Sequence, residues 1–195
     1  MWFIRNMLAF VGLLVVIAVI AAATRILPHM DTLVDMDPAA LQTYADMALK
    51  LLDTGSIAQA TVWKVPVQAG LTAEDVDQTM KVVANEHNIK NVGELPLYKQ
   101  VSAMTGKSYR FLKIYMFCNP LTAARMVDYD DAFSAYLPCR VSLVQDKSGR
   151  LWLYSLNMDL MIHGGRTLPP DLRKEALAVR GIILDIMRRG AAGDF

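Results

Sequence analysis

Two cysteines, Cys118 and Cys139, are the only thiols in the chain, and each stands next to a proline turn: Cys118-Asn119-Pro120 and Leu137-Pro138-Cys139. Three chemistries fit that placement. The pair can be a redox couple, a soft ligand set, or two small hydrophobes packed in a core, which is where free cysteine most often sits. Cys118 precedes a helix start, a position that lowers a thiol pKa and favours thiolate. No C-x-x-C spacing occurs, which excludes a thioredoxin-type oxidant. Further along, Asn157-Met158-Asp159-Leu160-Met161-Ile162-His163 groups two thioethers and an imidazole. Met158, Met161 and His163 could bind Cu(I), or give haem an axial ligand. The same residues also read as core methionines and a loop histidine. Paired Cys/His spacings for zinc are missing, as are a glycine-rich phosphate loop and a G-x-S-x-G elbow. Asp128, Asp130 and Asp131 read as a solvated loop, His87 as a helix-end residue, and His29 as part of a tether. No catalytic set emerges.

The elements that carry these residues alternate between strand and helix. Residues 60–67 predict a strand weakened by Pro66 and therefore at an edge. Residues 71–88 predict a helix with Thr72 as N-cap and Glu74, Asp75 and Asp77 at its positive end. Val76, Met80 and Val83 form its buried face, and Asn88 its stop. A short helix spans Tyr98 to Met104. Residues 109–117 are rich in aromatic and aliphatic side chains and predict the strongest strand. Period-2 alternation puts Leu112, Ile114, Met116 and Cys118 on one face, and Cys139, Val141 and Leu143 on one face of the next strand. These are expected to be the apolar faces. A helix near Leu121–Met126 separates the two strands, and Asp146-Lys147-Ser148-Gly149 turns a hairpin. The last helix runs from Pro170 to Arg189, with Gly190 as its stop. If the two cysteine strands run parallel, the thiols lie a strand apart, beyond the ~7 Å Cα limit for bridging. If they run antiparallel, both thiols reach one rim. Our expectation is that both line one small pocket beside the Asn-Pro and Leu-Pro turns.

Composition decides where this domain works. The chain has 195 residues, 54% hydrophobic, with formal net charge +1, which gives no footprint for nucleic acid. Between Arg5 and Arg25 lie 19 residues, of which only Asn6 and Thr24 are polar. As a helix they span about 28 Å, the thickness of a bilayer's hydrocarbon core. Trp2 and Phe3 sit at the height of an interfacial aromatic belt. Ala21-Ala22-Ala23 resembles a signal cleavage site, but the apolar run is longer than a signal's, so an uncleaved anchor is expected. Arg5 and the amino terminus on one side, against Asp31, Asp35 and Asp37 beyond Arg25, orient the domain outside the cytoplasm. That makes a single-pass inner-membrane protein with a periplasmic domain. Ala18 and Ala22 form one small-xxx-small pair. Residues 26–58 form a tether and an amphipathic helix. Asp37 is its N-cap, Pro38 its first residue and Gly55 its stop, with Leu41, Tyr44, Ala45, Ala48, Leu49 and Leu52 on one face. That face has three possible covers: the domain, as the ordinary expectation, a partner helix, or the membrane surface.

Lys113-Ile114-Tyr115-Met116-Phe117-Cys118-Asn119-Pro120, with Ala123-Ala124, Leu137-Pro138-Cys139 and the hairpin, resembles the DUF302 family over residues 60–163. Its members carry Cys-Asn-Pro or Gly-Asn-Pro at a strand end, then Leu-Pro before a hairpin, and often a histidine after it, here His163. The resemblance implies an α/β domain, an α+β two-layer sandwich over residues 59–195, often dimeric, with no established reaction. The candidate cofactor-binding residues are then Cys118, Asn119, Cys139 and His163. No dedicated metal site is expected; the simplest expectation is no cofactor, with haem or copper as the alternative. The function expected is a non-catalytic accessory or interaction subunit of a membrane complex, or a homodimer. The alternatives are a haem- or copper-binding protein, or a thiol-redox protein using Cys118 and Cys139.

Overall fold

The computed structural model describes residues 2–195. Helix α1 (Trp2–Ile26) buries no residue, as expected of an apolar run with no polar face to distinguish. A 3-10 turn at Leu27–His29 follows, where Pro28 removes a backbone donor. Then come α2 (Met30–Val34), α3 (Ala40–Thr54), α4 (Ile57–Ala60), β1 (Val62–Pro66), α5 (Ala73–Glu86), β2 (Lys90–Leu95) and α6 (Leu97–Thr105). The chain continues through β3 (Leu112–Cys118), α7 (Pro120–Tyr129), β4 (Cys139–Gln145), β5 (Leu151–Leu156), α8 (Met158–His163) and α9 (Pro170–Ala192). The five strands form one antiparallel sheet in the order β1-β5-β4-β3-β2. β1, with Pro66, is an edge strand, as its proline requires.

One face of the sheet carries α5 and α9. Tyr115, Phe117, Val141, Leu143 and Leu153 are fully buried there against Val76, Met80 and Val83 of α5 and Ile183, Ile186 and Met187 of α9. The other face is half-covered: Lys64 lies over the Trp152 ring at 4.0 Å. This is a two-layer α+β sandwich.

Four readings from sequence change. First, the buried face of β3 is that of Tyr115 and Phe117, while Leu112, Ile114, Met116 and Cys118 are only half-buried. Lys113 argues against burying that face, but its ammonium is paired with Asp77 at 2.5 Å and Glu94 at 2.6 Å. A charge so paired can be placed beside a core. Second, Lys90–Leu95, to which sequence assigned no element, is a strand of low propensity, bulged between Asn91 and Gly93, held by a strongly apolar neighbour rather than by its own residues. Third, α9 runs through Gly190 and ends at Gly193, which has φ +75°. Gly190 is buried, and a Cβ there would fall 2.5 Å from Met80 Cγ, so it sets helix spacing and stops nothing. Fourth, Asp37 does not cap α3. Its carboxylate accepts from the Ala39 amide at 2.9 Å in a turn ahead of the helix.

The segment before α3 is fastened to the domain. Asp37 N donates to Gly165 O at 2.9 Å and Thr167 N to Asp35 O at 3.1 Å. Helix α3 itself touches the domain along one side only, through Ala40, Thr43, Met47, the Tyr44 hydroxyl, which donates to Gly164 O, and a bond from Lys50 Nζ to Val62 O at 2.8 Å. Its remaining apolar residues face away: Leu41 is 82% exposed, Leu52 79% and Leu49 60%, with Ala45 and Ala48 exposed between them. Apart from Tyr44 at its edge, the apolar stripe therefore does not lie on the domain.

Candidate functional site

β3 and β4 are direct antiparallel neighbours with Phe117 opposite Cys139, so both cysteines reach the same rim of the sheet. One residue out of register, their Cα atoms are ~6 Å apart by ladder spacing. Both are free thiols. Strict alternation assigns them to opposite faces. Cys118 is the last residue of β3, however, and the chain turns there into α7. Cys118 and Cys139 both line one cavity of about 20 Å³, together with Asn119, Thr122, Ala123, Met126, Leu137, Met158, Met161, Ala176 and Val179. A second cavity of about 170 Å³ shares the wall formed by Cys139, Met158 and Met161.

Each lining residue is placed by a local rule. Asn119 is the N-cap of α7, its side chain accepting from Leu121 N at 3.2 Å and Thr122 N at 3.3 Å, with Pro120 in the first turn. The Leu137–Pro138 peptide is cis and leads directly into β4 at Cys139. Asn157 caps α8 by accepting from Asp159 N at 2.9 Å, which starts that helix at Met158. Met158 and Met161 lie three residues apart and so share one helix face.

The thiols are held protonated. Burial pushes Cys118 up, and burial together with the neighbouring Cys118 pushes Cys139 up to about 11. The helix start does not lower the Cys118 pKa as expected, because Asn119 already occupies the free amides of α7 and the cavity is apolar.

His163 is elsewhere. At the end of α8 its Nδ1 lies 3.2 Å from Asp37 Oδ1, and Arg173 lies 3.2 Å from Asp37 Oδ2. Burial pushes the Asp37 carboxyl up, but the Ala39 amide, His163 and Arg173 outweigh it and hold it below its ordinary value. His87 pairs with Asp185 at 2.8 Å on the surface. Among the described residues, no group of three or more His, Cys, Asp or Glu is placed to hold a metal ion. Haem has no room in the 20 Å³ cavity.

Sequence reading missed a second polar cluster. Asp77 accepts from Lys113, Lys81 and the Tyr115 hydroxyl, and Lys81 and Lys113 also reach Glu94 at 2.9 and 2.6 Å. Burial and the Asp77 bond raise the Tyr115 pKa, so the phenol is a fixed donor. Two acids and two lysines balance, tying α5 to β2 and β3. Its only signal in sequence was Lys113 within an apolar strand. A cavity of about 710 Å³ opens at the opposite, hairpin end of the sheet and is lined by residues 66–73 and 149–152 with Phe111 and Gln145.

The cavity at the Asn-Pro and Leu-Pro turns sits in a scaffold that matches the domain of unknown function DUF302 over residues 63–189. The chain belongs to the DUF302 family. The match takes in α9 as well as the sheet, since that helix completes the core, and leaves α1 to α4 outside. A solved structure of an uncharacterized conserved DUF302 protein from Bacillus stearothermophilus is similar at a TM-score of 0.54 and 14% identity, covering 66% of this chain and 97% of its own. At that identity the likeness speaks for the fold alone. No curated protein matches the chain.

Proposed function

We propose that this DUF302 protein is a non-catalytic, membrane-anchored accessory subunit, its domain outside the cytoplasm, that assembles as a pair through α3. The observation that supports it is the exposed apolar stripe of Leu41, Ala45, Ala48, Leu49 and Leu52. These five fall within an arc of about 100° at 3.6 residues per turn. Helix α1 supplies the anchor: between Trp2 and Val34 lies an 18-residue window of mean hydropathy 2.8, none of it buried in the protein.

A second copy suits the stripe better than lipid does. Helices that lie on membranes carry Lys and Arg along their polar face. Here the polar side of α3 has Asp46, Asp53 and a single lysine, which is engaged by Val62 O. Two alanines between leucines make the stripe self-complementary, leucines of one copy fitting over alanines of the other. The stripe itself carries no charge, so two copies meet without repulsion. Anchoring in a shared bilayer raises their effective concentration.

The test is light scattering of the full chain in mild detergent, beside the variant Leu41→Gln/Leu52→Gln. A dimer that becomes monomeric in the variant, with unchanged melting, supports the reading. A monomeric parent protein, or a dimer indifferent to the variant, overturns it.

A further inference from the structure

We propose that Cys118, Cys139, Met158 and Met161 form a binding site for a single Cu(I) ion. All four line the same cavity. The set is sulfur alone: neither imidazole nor carboxylate lines that cavity. Thiolates with thioethers select Cu(I), whereas zinc sites draw on thiolate, imidazole and carboxylate and do not use thioethers. Size agrees. The cavity of about 20 Å³ holds one ion or one water and excludes any organic ligand.

The ligands come from three separate elements, the end of β3, the start of β4 and one face of α8, so the fold brings them together rather than a local motif. Met158 and Met161 have no polar partner to satisfy, and their soft sulfurs are free to bind. The adjoining cavity of about 170 Å³, which shares Cys139, Met158 and Met161 and is edged by Arg140, gives the ion a way in. Loading one Cu(I) displaces one proton from each thiol, so two protons are released and the metal–dithiolate unit carries one net negative charge. No electron transfer is involved, since the ion enters and stays as Cu(I). This site is independent of pairing through α3.

The experiment is titration of the reduced full-length protein with Cu(I) in competition with bicinchoninate, followed by X-ray absorption of the copper protein. The expected result is one Cu(I) per chain in an all-sulfur shell. Cys118→Ser and Cys139→Ala should each abolish competitive binding. Met161→Leu, which keeps the volume and so the fold, should weaken binding about tenfold and remove one sulfur from the shell. His163→Ala should change neither. Thermal melts confirm that each variant is folded. Failure of the parent protein to compete, nitrogen in the copper shell, binding that survives both cysteine variants, or a preference for Zn(II) would each overturn the proposal.

Discussion

Cys139 and Cys118 differ in what surrounds them. Cys139 is pushed up to about 11 and touches two cavities, while Cys118 is shifted by burial alone. Cys139→Ser places a hydroxyl in an apolar site and should lower stability by about 1–3 kcal/mol, with Cys118→Ser costing less. Urea unfolding of the two variants in reductant checks the order, and equal costs would contradict it. Asp37 is a second residue with a decisive position: its side chain is fully buried, with His163 and Arg173 as partners. Asp37→Ala leaves both without their carboxylate and should cost about 1–3 kcal/mol. It should also expose residues 30–39 to protease, because the fastening of the tether depends on the turn at Asp37. Unchanged cleavage there would show that the backbone pairing alone holds the tether.

Elements meet where side chains are smallest or best paired. Helix α9 crosses α5 at Gly190, where an added Cβ would fall 2.5 Å from Met80 Cγ and 3.6 Å from Leu153 Cδ1. Gly190→Ala gains helix propensity worth about 1 kcal/mol but overpacks the crossing by about 1–3 kcal/mol. The net expectation is a lower melting temperature, read by calorimetry, and a raised one would show that Met80 moves aside freely. Strand β3 is held to α5 through Asp77. Asp77→Ala strips Lys113, Lys81 and Tyr115 of a shared acceptor, with an expected loss of about 1–3 kcal/mol. Stability equal to the parent protein would mean that Glu94 alone satisfies both lysines.

At the scale of the whole molecule, carboxylates held below their ordinary values set the acid limit, and three of them sit in partly buried clusters. Burial pushes Asp37, Asp77 and Glu94 up, but their hydrogen-bonded and charged partners outweigh it, so all three lie below their ordinary values of 3.8, 3.8 and 4.5. A folded-state value below the unfolded one adds stability above the unfolded pKa, lost as pH falls through the folded one. Stability should therefore be level above about pH 5 and fall steadily below about pH 4. Urea midpoints across pH 2–7 check this, and a loss centred near pH 6 would point to a histidine instead. The membrane reading is tested separately. A reporter fused after Phe195 that works only after export should be active, and activity of a cytoplasm-only reporter would invert the topology.

Residue type and spacing alone identified the N-terminal helix long and apolar enough to cross a membrane, the capping of α5 at Thr72, the edge position of the Pro66 strand and the hairpin at Asp146–Gly149. These depend on local chemistry: hydropathy over a bilayer's length, a side-chain oxygen meeting free amides, a missing donor, a glycine at positive φ. The family motif was also legible, because Cys-Asn-Pro and Leu-Pro-Cys mark turns whose backbone demands those residues. Which face of β3 is buried was not legible, since the partners that neutralise Lys113 come from α5 and β2, 36 and 19 residues earlier in the sequence. Nor was the fate of the α3 stripe, which depends on how much of a wide apolar arc the domain covers. The separation of His163 from the two thiols was legible only once Met158–His163 is known to be a helix, where a two-residue step is about 200°. His163 follows Met161 by only two residues, but α8 turns its methionines to the cysteine cavity and its last residue to Asp37. Periodicity gives each element a face; only the packing of one element on another decides which faces meet.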